Sequence, residues 1–99
     1  MELEIQKIKN VDELIIKLGG RLDTITSPEL KKEVENLEGV KRLVLDFENL
    51  DYISSAGLRV LMIAQGTMQE QGKMVIRNVK SKIKKILDMT GFDKILTIE

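Results

Sequence analysis

The chain has 99 residues, 16 Lys+Arg against 16 Asp+Glu, 42% hydrophobic and 3% aromatic content, and neither cysteine nor histidine. That length lets one domain bury a core without disulfides or structural metal. The missing Cys and His exclude the usual zinc centres and Ser-His or Cys-His nucleophile pairs, leaving only carboxylates as metal ligands.

Zero net charge argues against a surface built for nucleic-acid phosphates, and so few aromatics leave little for base stacking. No apolar run approaches the roughly 20 residues needed to cross a bilayer. The acidic, alternating start Met1-Glu2-Leu3-Glu4-Ile5 is unlike a basic-then-apolar signal peptide. The expectation is a cytoplasmic protein with neither a membrane nor a nucleic acid as partner.

In chain order, Leu3, Ile5 and Ile8 begin a period-two pattern that continues from Val11 to Leu18, with Lys9-Asn10 between the runs. This predicts two adjacent strands forming a hairpin, the second ending at Gly19-Gly20. Thr26-Ser27-Pro28-Glu29 offers a helix start with proline near the first helical position. Leu30, Val34 and Leu37 line one face of that helix, and Gly39 stops it.

Leu43-Val44-Leu45-Asp46-Phe47 is a short apolar run, typical of a strand covered on both faces. Asp46 to Ser55 is read as the loop beyond it. From Gly57, the residues Leu58, Leu61, Met62 and Met68 recur at helical spacing until Gln71-Gly72. Met74-Val75-Ile76 reads as a strand. Ile83, Ile86 and Leu87 mark the inner face of a last helix whose Lys80, Lys82, Lys84 and Lys85 point largely outward. It closes at Thr90-Gly91, and Ile95-Leu96-Thr97-Ile98 is the final predicted strand.

The order β-β-α-β-α-β-α-β describes one α/β domain over residues 1–99, a mixed sheet with helices packed on it. In such sheets functional loops lie beyond the carboxyl ends of strands. Ser54-Ser55 stands where the apolar strand turns into a helix. The first N–H groups of a helix lack partners and carry partial positive charge, so a phosphoryl group on either serine would find donors aimed at it. A phosphoserine carries about −1.5 to −2 charge at neutral pH. An interface penalty of about 2–3 kcal/mol weakens a partner by roughly 30- to 150-fold, with the domain still folded.

Serine is also a preferred N-cap, and the sequence leaves both uses open, with Ser54 capping and Ser55 modified as one combination. Asp23 reads equally well as a functional acid or as the acceptor for backbone donors in the Asp23-Thr24-Ile25 turn. Asp46 leans towards a loop cap. Met62 and Met68 read as core, and the lysines of the last helix as a solvated face. No histidine and no S-x-x-K arrangement stands beside Ser54 or Ser55, and Gly19-Gly20 is followed by Arg-Leu-Asp rather than Gly-Lys-Ser/Thr. No catalysis and no cofactor are expected.

The run LDFENLDYISSAGLRVL from Leu45 to Leu61 resembles, without a gap, the STAS-domain signature close to LDLSxVxFMDSSGLGVL, found in stand-alone bacterial anti-sigma factor antagonists. Gly20-Arg21-Leu22-Asp23 before Thr26-Ser27-Pro28-Glu29-Leu30 resembles the family's G-x-L-D element. The resemblance implies a partner switch. The unphosphorylated protein binds an anti-sigma factor that is also a serine kinase, releasing the sigma factor. Phosphorylation of one serine ends that complex, and a PP2C-type phosphatase restores it.

Anchored on Gly57 and Leu58, the resemblance puts Ser55 at the family's phosphoserine, with Ser54 where the family often has aspartate and Ala56 where it often has a second serine. Asp51 is a nearby carboxylate that is a candidate stand-in for the missing one. The implied partner surface comprises Asp23, Asp51, Ser54, Ser55, Ala56, Gly57, Leu58 and Arg59, on a monomer. Two other readings stay open: a constitutive STAS interaction module, and a small-ligand or nucleotide pocket between the Asp23 and Ser55 loops.

Overall fold

The computed structural model describes residues 2–99. Its elements are β1 (Leu3–Lys9), β2 (Glu13–Leu22), α1 (Ser27–Val34), β3 (Arg42–Ile53), α2 (Ser55–Gln71), β4 (Lys73–Arg77) and α3 (Ser81–Met89), followed by a 3₁₀ turn at Phe92–Lys94. The sheet order is β1-β2-β3-β4. The hairpin β1–β2 is antiparallel, with Ile5 opposite Leu18, whereas β3 runs parallel to both β2 and β4. The mixed sheet expected from the alternation of strands and helices is therefore present, its parallel steps made by the crossovers through α1 and α2.

Side chains from all three helices, among them Leu30, Val34, Leu61, Met68, Ile83 and Leu87, join Ile16, Leu18, Leu45, Phe47 and Ile76 of the sheet in one continuous core. Burial of these apolar groups is the main stabilising term. On β3, Val44 is fully buried as well as its neighbours Leu43 and Leu45, so this strand is covered on both faces, as its unbroken apolar run requires. The last turn of α2 is tied to the connection between α1 and β3 by Gln71, whose Nε2 donates to the carbonyls of Leu37 and Val40.

Four boundaries differ from the sequence reading. Asp46 to Ser55 is not a loop, because β3 continues to Ile53. Its later half pairs with β2 through Gly19–Asn49, Gly20–Leu50, Arg21–Tyr52 and Leu22–Ile53, across register shifts at Lys17/Gly19 and Gly20/Arg21. Those shifts let Leu50 and Ile53 both turn into the core and break the simple alternation that would have marked a strand. Likewise β2 runs through Gly19-Gly20 rather than ending there. Gly20 has φ +92, and a Cβ on it would come within 2.1 Å of the Glu2 carbonyl oxygen, so the strand passes where only glycine fits.

The final predicted strand shrinks to one bridge, Ile98 beside Ile76. The Thr97 carbonyl accepts from Ile76 N–H and Glu99 N–H donates back to the Ile76 carbonyl. The 3₁₀ turn consumes the residues just before it, Leu96 is buried, and Ile95 is half exposed. Helix α1 is also shorter than expected, ending at Val34, with Leu37 buried beyond it.

Candidate functional site

At the carboxyl ends of β2 and β3 the chain leaves the sheet twice within a small area. Ser54 N–H donates to the Leu22 carbonyl at 2.9 Å, so the Asp23 turn and the start of α2 are neighbours through the sheet itself. Ser54 has extended backbone and is the N-cap of α2, its Oγ accepting from Gly57 N–H at 3.4 Å. Ser55 is the first helical residue and is exposed, while Ser54 is half-buried. The two serines are thus separated by geometry: one hydroxyl is used by the helix and the other faces solvent.

Below them the packing is tight. Gly57 is buried, and a Cβ there would lie 2.8 Å from Leu22 Cγ and 2.9 Å from Ile53 Cγ1. Leu58 is buried beside it, Ala56 is half-buried and Arg59 is exposed. Of the sequence-predicted site residues, Ser55 and Arg59 therefore present the open surface of α2, and Gly57 acts from beneath by letting the helix start sit close on the strand ends.

The Asp23 carboxylate is engaged locally. Its Oδ1 accepts from the N–H groups of Ile25 and Thr26, each at 3.0 Å, and its Oδ2 lies 3.5 Å from Arg21 Nε. These bonds, the Thr26 N–H first among them, hold the Asp23 carboxyl below its ordinary range against the opposing effect of burial. Thr26 precedes α1 without capping it through its own side chain; its hydroxyl instead donates to the Arg21 carbonyl at 2.7 Å. The turn reading of Asp23 is what its contacts describe.

Arg21 also stacks over Tyr52, 4.2 Å from the ring centroid, linking the two strand ends. Asp51, further along the same rim, is 2.6 Å from Lys80 Nζ, and that contact holds its carboxyl below the ordinary range. The charge of Asp51 is thereby compensated by Lys80, the residue preceding α3. Asp46 is buried at the inner end of the β3–β4 pair, accepting from Asn78 Nδ2 and Glu48 N–H, both at 3.0 Å, with Arg77 Nε at 3.6 Å. Burial pushes its carboxyl up, but those hydrogen bonds and the charges of Arg77 and Lys17 outweigh it and leave it lowered. Asp46 thus serves as a clamp on the β4–α3 connection and lies away from the serines.

Two shallow grooves flank the start of α2. One, of about 340 Å³, is bordered by Ser55, Leu58, Arg59, Met62, Thr90 and Phe92. The other, of about 280 Å³, lies towards α1 and includes Lys31, Ala56, Arg59 and Ile63. Met62 is half-buried in the first groove and so differs from Met68, which is fully buried in the core as expected. Thr90, Phe92 and Lys31 were not legible as site residues, because only tertiary packing brings them to α2; Met62 was read as core and instead borders the groove, a place its spacing of seven residues from Ser55, two turns along the same face, could have signalled. Among the described residues there is no group of three or more acidic side chains arranged to hold a metal, and no helix is long and apolar enough to cross a membrane.

The STAS domain family model matches residues 2–99. The chain belongs to the STAS family. BtrV of Bordetella bronchiseptica is 36% identical to this STAS domain, over 99% of this chain and 85% of that protein. The anti-sigma F factor antagonist of Paenibacillus polymyxa is 31% identical over 99% and 87% of the two chains. The unphosphorylated form of the anti-sigma factor antagonist SpoIIAA superposes with TM-score 0.76 at 15% identity, covering 97% of this chain and 87% of the other; the phosphorylated Bacillus form gives the same TM-score at 16% identity, covering 97% and 91%. At that identity the likeness is one of fold.

Proposed function

We propose that this STAS domain, residues 1–99, is an anti-sigma factor antagonist working by a phosphorylation switch. In the unphosphorylated state it binds an anti-sigma factor that is also a serine kinase and so frees the sigma factor. The kinase then modifies Ser55. Its Oγ forms a bond to the γ-phosphorus of ATP, the bond from that phosphorus to the bridging oxygen breaks, ADP leaves, and the hydroxyl proton passes to a base on the kinase. A PP2C-type phosphatase reverses the step by hydrolysis. The protein is a monomeric cytoplasmic binding partner rather than an enzyme, with no cofactor and with neither nucleic acid nor membrane as a ligand.

The observation that carries this reading is the division of labour between the serines: Ser54 caps α2 while Ser55 stands exposed at its first position. The relative named an anti-sigma F factor antagonist, 31% identical over nearly the full chain, supports the class of partner. The partner surface consists of exposed Ser55 and Arg59, the half-buried rim of Ser54 and Ala56, the Asp23 turn, Asp51 near the end of β3, and Leu58 on the groove wall, with Gly57 supporting it from below.

The test is mass spectrometry after incubation with ATP and the cognate kinase, on wild type, Ser55→Ala and Ser54→Ala. One phosphoryl group mapped to Ser55 in wild type and Ser54→Ala, and absent from Ser55→Ala, is the expected result. Modification at Ser54 would move the site. No modification by a kinase active on a control substrate would leave a constitutive interaction module as the better reading.

A further inference from the structure

We infer that Arg59 is the intramolecular ligand of the Ser55 phosphate, so that modification draws the guanidinium across one helical turn and away from the boundary between the two grooves. This role presupposes that Ser55 is the modified residue.

The chain has arginines at 21, 42, 59 and 77. Arg21 has Asp23, Arg42 has Glu13 and Glu99, and Arg77 has Asp46 as carboxylate partners. Among the described residues Arg59 has neither a carboxylate within 4.0 Å nor a side-chain hydrogen bond, although it is exposed on the helix face that carries Ser55. Ser55 and Arg59 border the same groove, and Arg59 also borders the groove towards α1. The other charges near the rim are committed or stand apart: Asp23 to Arg21, Asp51 to Lys80, and Lys31 on the α1 side of the second groove.

Residues four apart on a helix have Cβ atoms about 5–6 Å from one another, and an anion N-terminal to a cation is the favourable order. Helical side chains lean towards the N-terminus, so the Arg59 side chain extends over the turn that begins at Ser55. The guanidinium fork matches two phosphate oxygens, which a single ammonium cannot do. A phosphate on Ser55 thus meets an uncommitted fork within reach. Because Arg59 borders both grooves, one modification alters the charge of both, including the groove that Ser55 does not touch.

Phosphoserine can be installed at position 55 by nonsense suppression, which needs no kinase, in wild-type, R59K and R59Q backgrounds. Circular dichroism checks that all three are folded. Phosphorus NMR then follows the second phosphate ionisation, ordinarily near pH 6. The expected result is a pKa higher in R59Q than in wild type by about half a unit, roughly threefold in proton affinity, with R59K between them and the gap shrinking in 1 M salt. Identical titrations in wild type and R59Q would overturn the inference. The two proposals fail separately: an Arg59-independent titration removes the clamp and leaves the Ser55 switch standing, whereas kinase modification confined to Ser54 removes the switch at Ser55 and overturns the clamp as its regulatory partner.

Discussion

Two glycines of α2 should respond in opposite directions to the same substitution. Gly66 lies in the helix interior with nothing within 4 Å of a built Cβ, so Gly66→Ala gains helix propensity and costs nothing in packing. The expected gain is about 0.7 kcal/mol, or roughly 3–6 °C in Tm for a domain of this size. At Gly57 the added methyl meets Leu22 Cγ at 2.8 Å, Ile53 Cγ1 at 2.9 Å and Leu22 Cδ2 at 3.0 Å. Leu22 and Ile53 are 0% and 2% exposed, so neither can retreat into solvent. Overpacking of this kind costs about 1–3 kcal/mol. Propensity in the first turn returns about 0.5 kcal/mol, for a net loss near 1.5 kcal/mol or roughly 6–12 °C. Urea and thermal unfolding of both variants, with equal m-values as the control for two-state behaviour, measure this directly. A Gly57→Ala protein as stable as wild type would show that α2 does not sit as close on the strand ends as described, and the placement of Ser55 argued from that packing would fall with it.

Ser54→Ala should cost about 0.5–1 kcal/mol, in the lower part of the usual range for a lost cap because its 3.4 Å hydrogen bond is long, whereas Ser55→Ala should stay within about 0.5 kcal/mol. Equal losses in urea titrations would mean that the cap is not assigned to Ser54. The lowered carboxyls of Asp23, Asp46 and Asp51 set the acid limb of stability. Each binds its proton less readily folded than unfolded, so the unfolded chain carries more protons in the window between the two values and stability rises with pH there. The contribution is complete above about pH 5 and is lost as pH falls through the ordinary aspartate value near 3.9 and on through the folded ones. Asp46→Asn, at a side chain only 5% exposed, should be about 1–2 kcal/mol less stable than wild type at pH 7, with the difference closing towards pH 3. Parallel stability curves for the two proteins would refute the network around Asp46.

The alternation of strand and helix was legible because hydrophobic period and local punctuation agree over most of the chain. The end of α2 at Gln71-Gly72 and of α3 at Thr90-Gly91 follow from those signals. The reading failed where pairing overrode pattern. Glu48-Asn49-Leu50-Asp51 has the polarity of a loop, yet β2 supplies its backbone partners across two register shifts, and a single sequence does not reveal a bulge made jointly by two strands. Ile95 to Ile98 has the composition of a strand, but a turn placed just upstream leaves room for only one bridge.

For the site, the residues themselves named both serines, and the STAS resemblance ranked them. Which hydroxyl is used by the helix depends on where α2 begins, and that is set by how closely Gly57 lets it approach Leu22 and Ile53, contacts far apart in the chain. The pairing of Asp51 with Lys80, and the gathering of Thr90 and Phe92 beside Ser55, are likewise contacts between distant segments. Local chemistry, carried in short stretches of sequence, determined the element types, the STAS signature and the presence of a modifiable serine at a helix start. Tertiary packing decided which charges are paired, which arginine is left uncommitted and which serine faces solvent, because those properties belong to neighbours that the linear order does not place together.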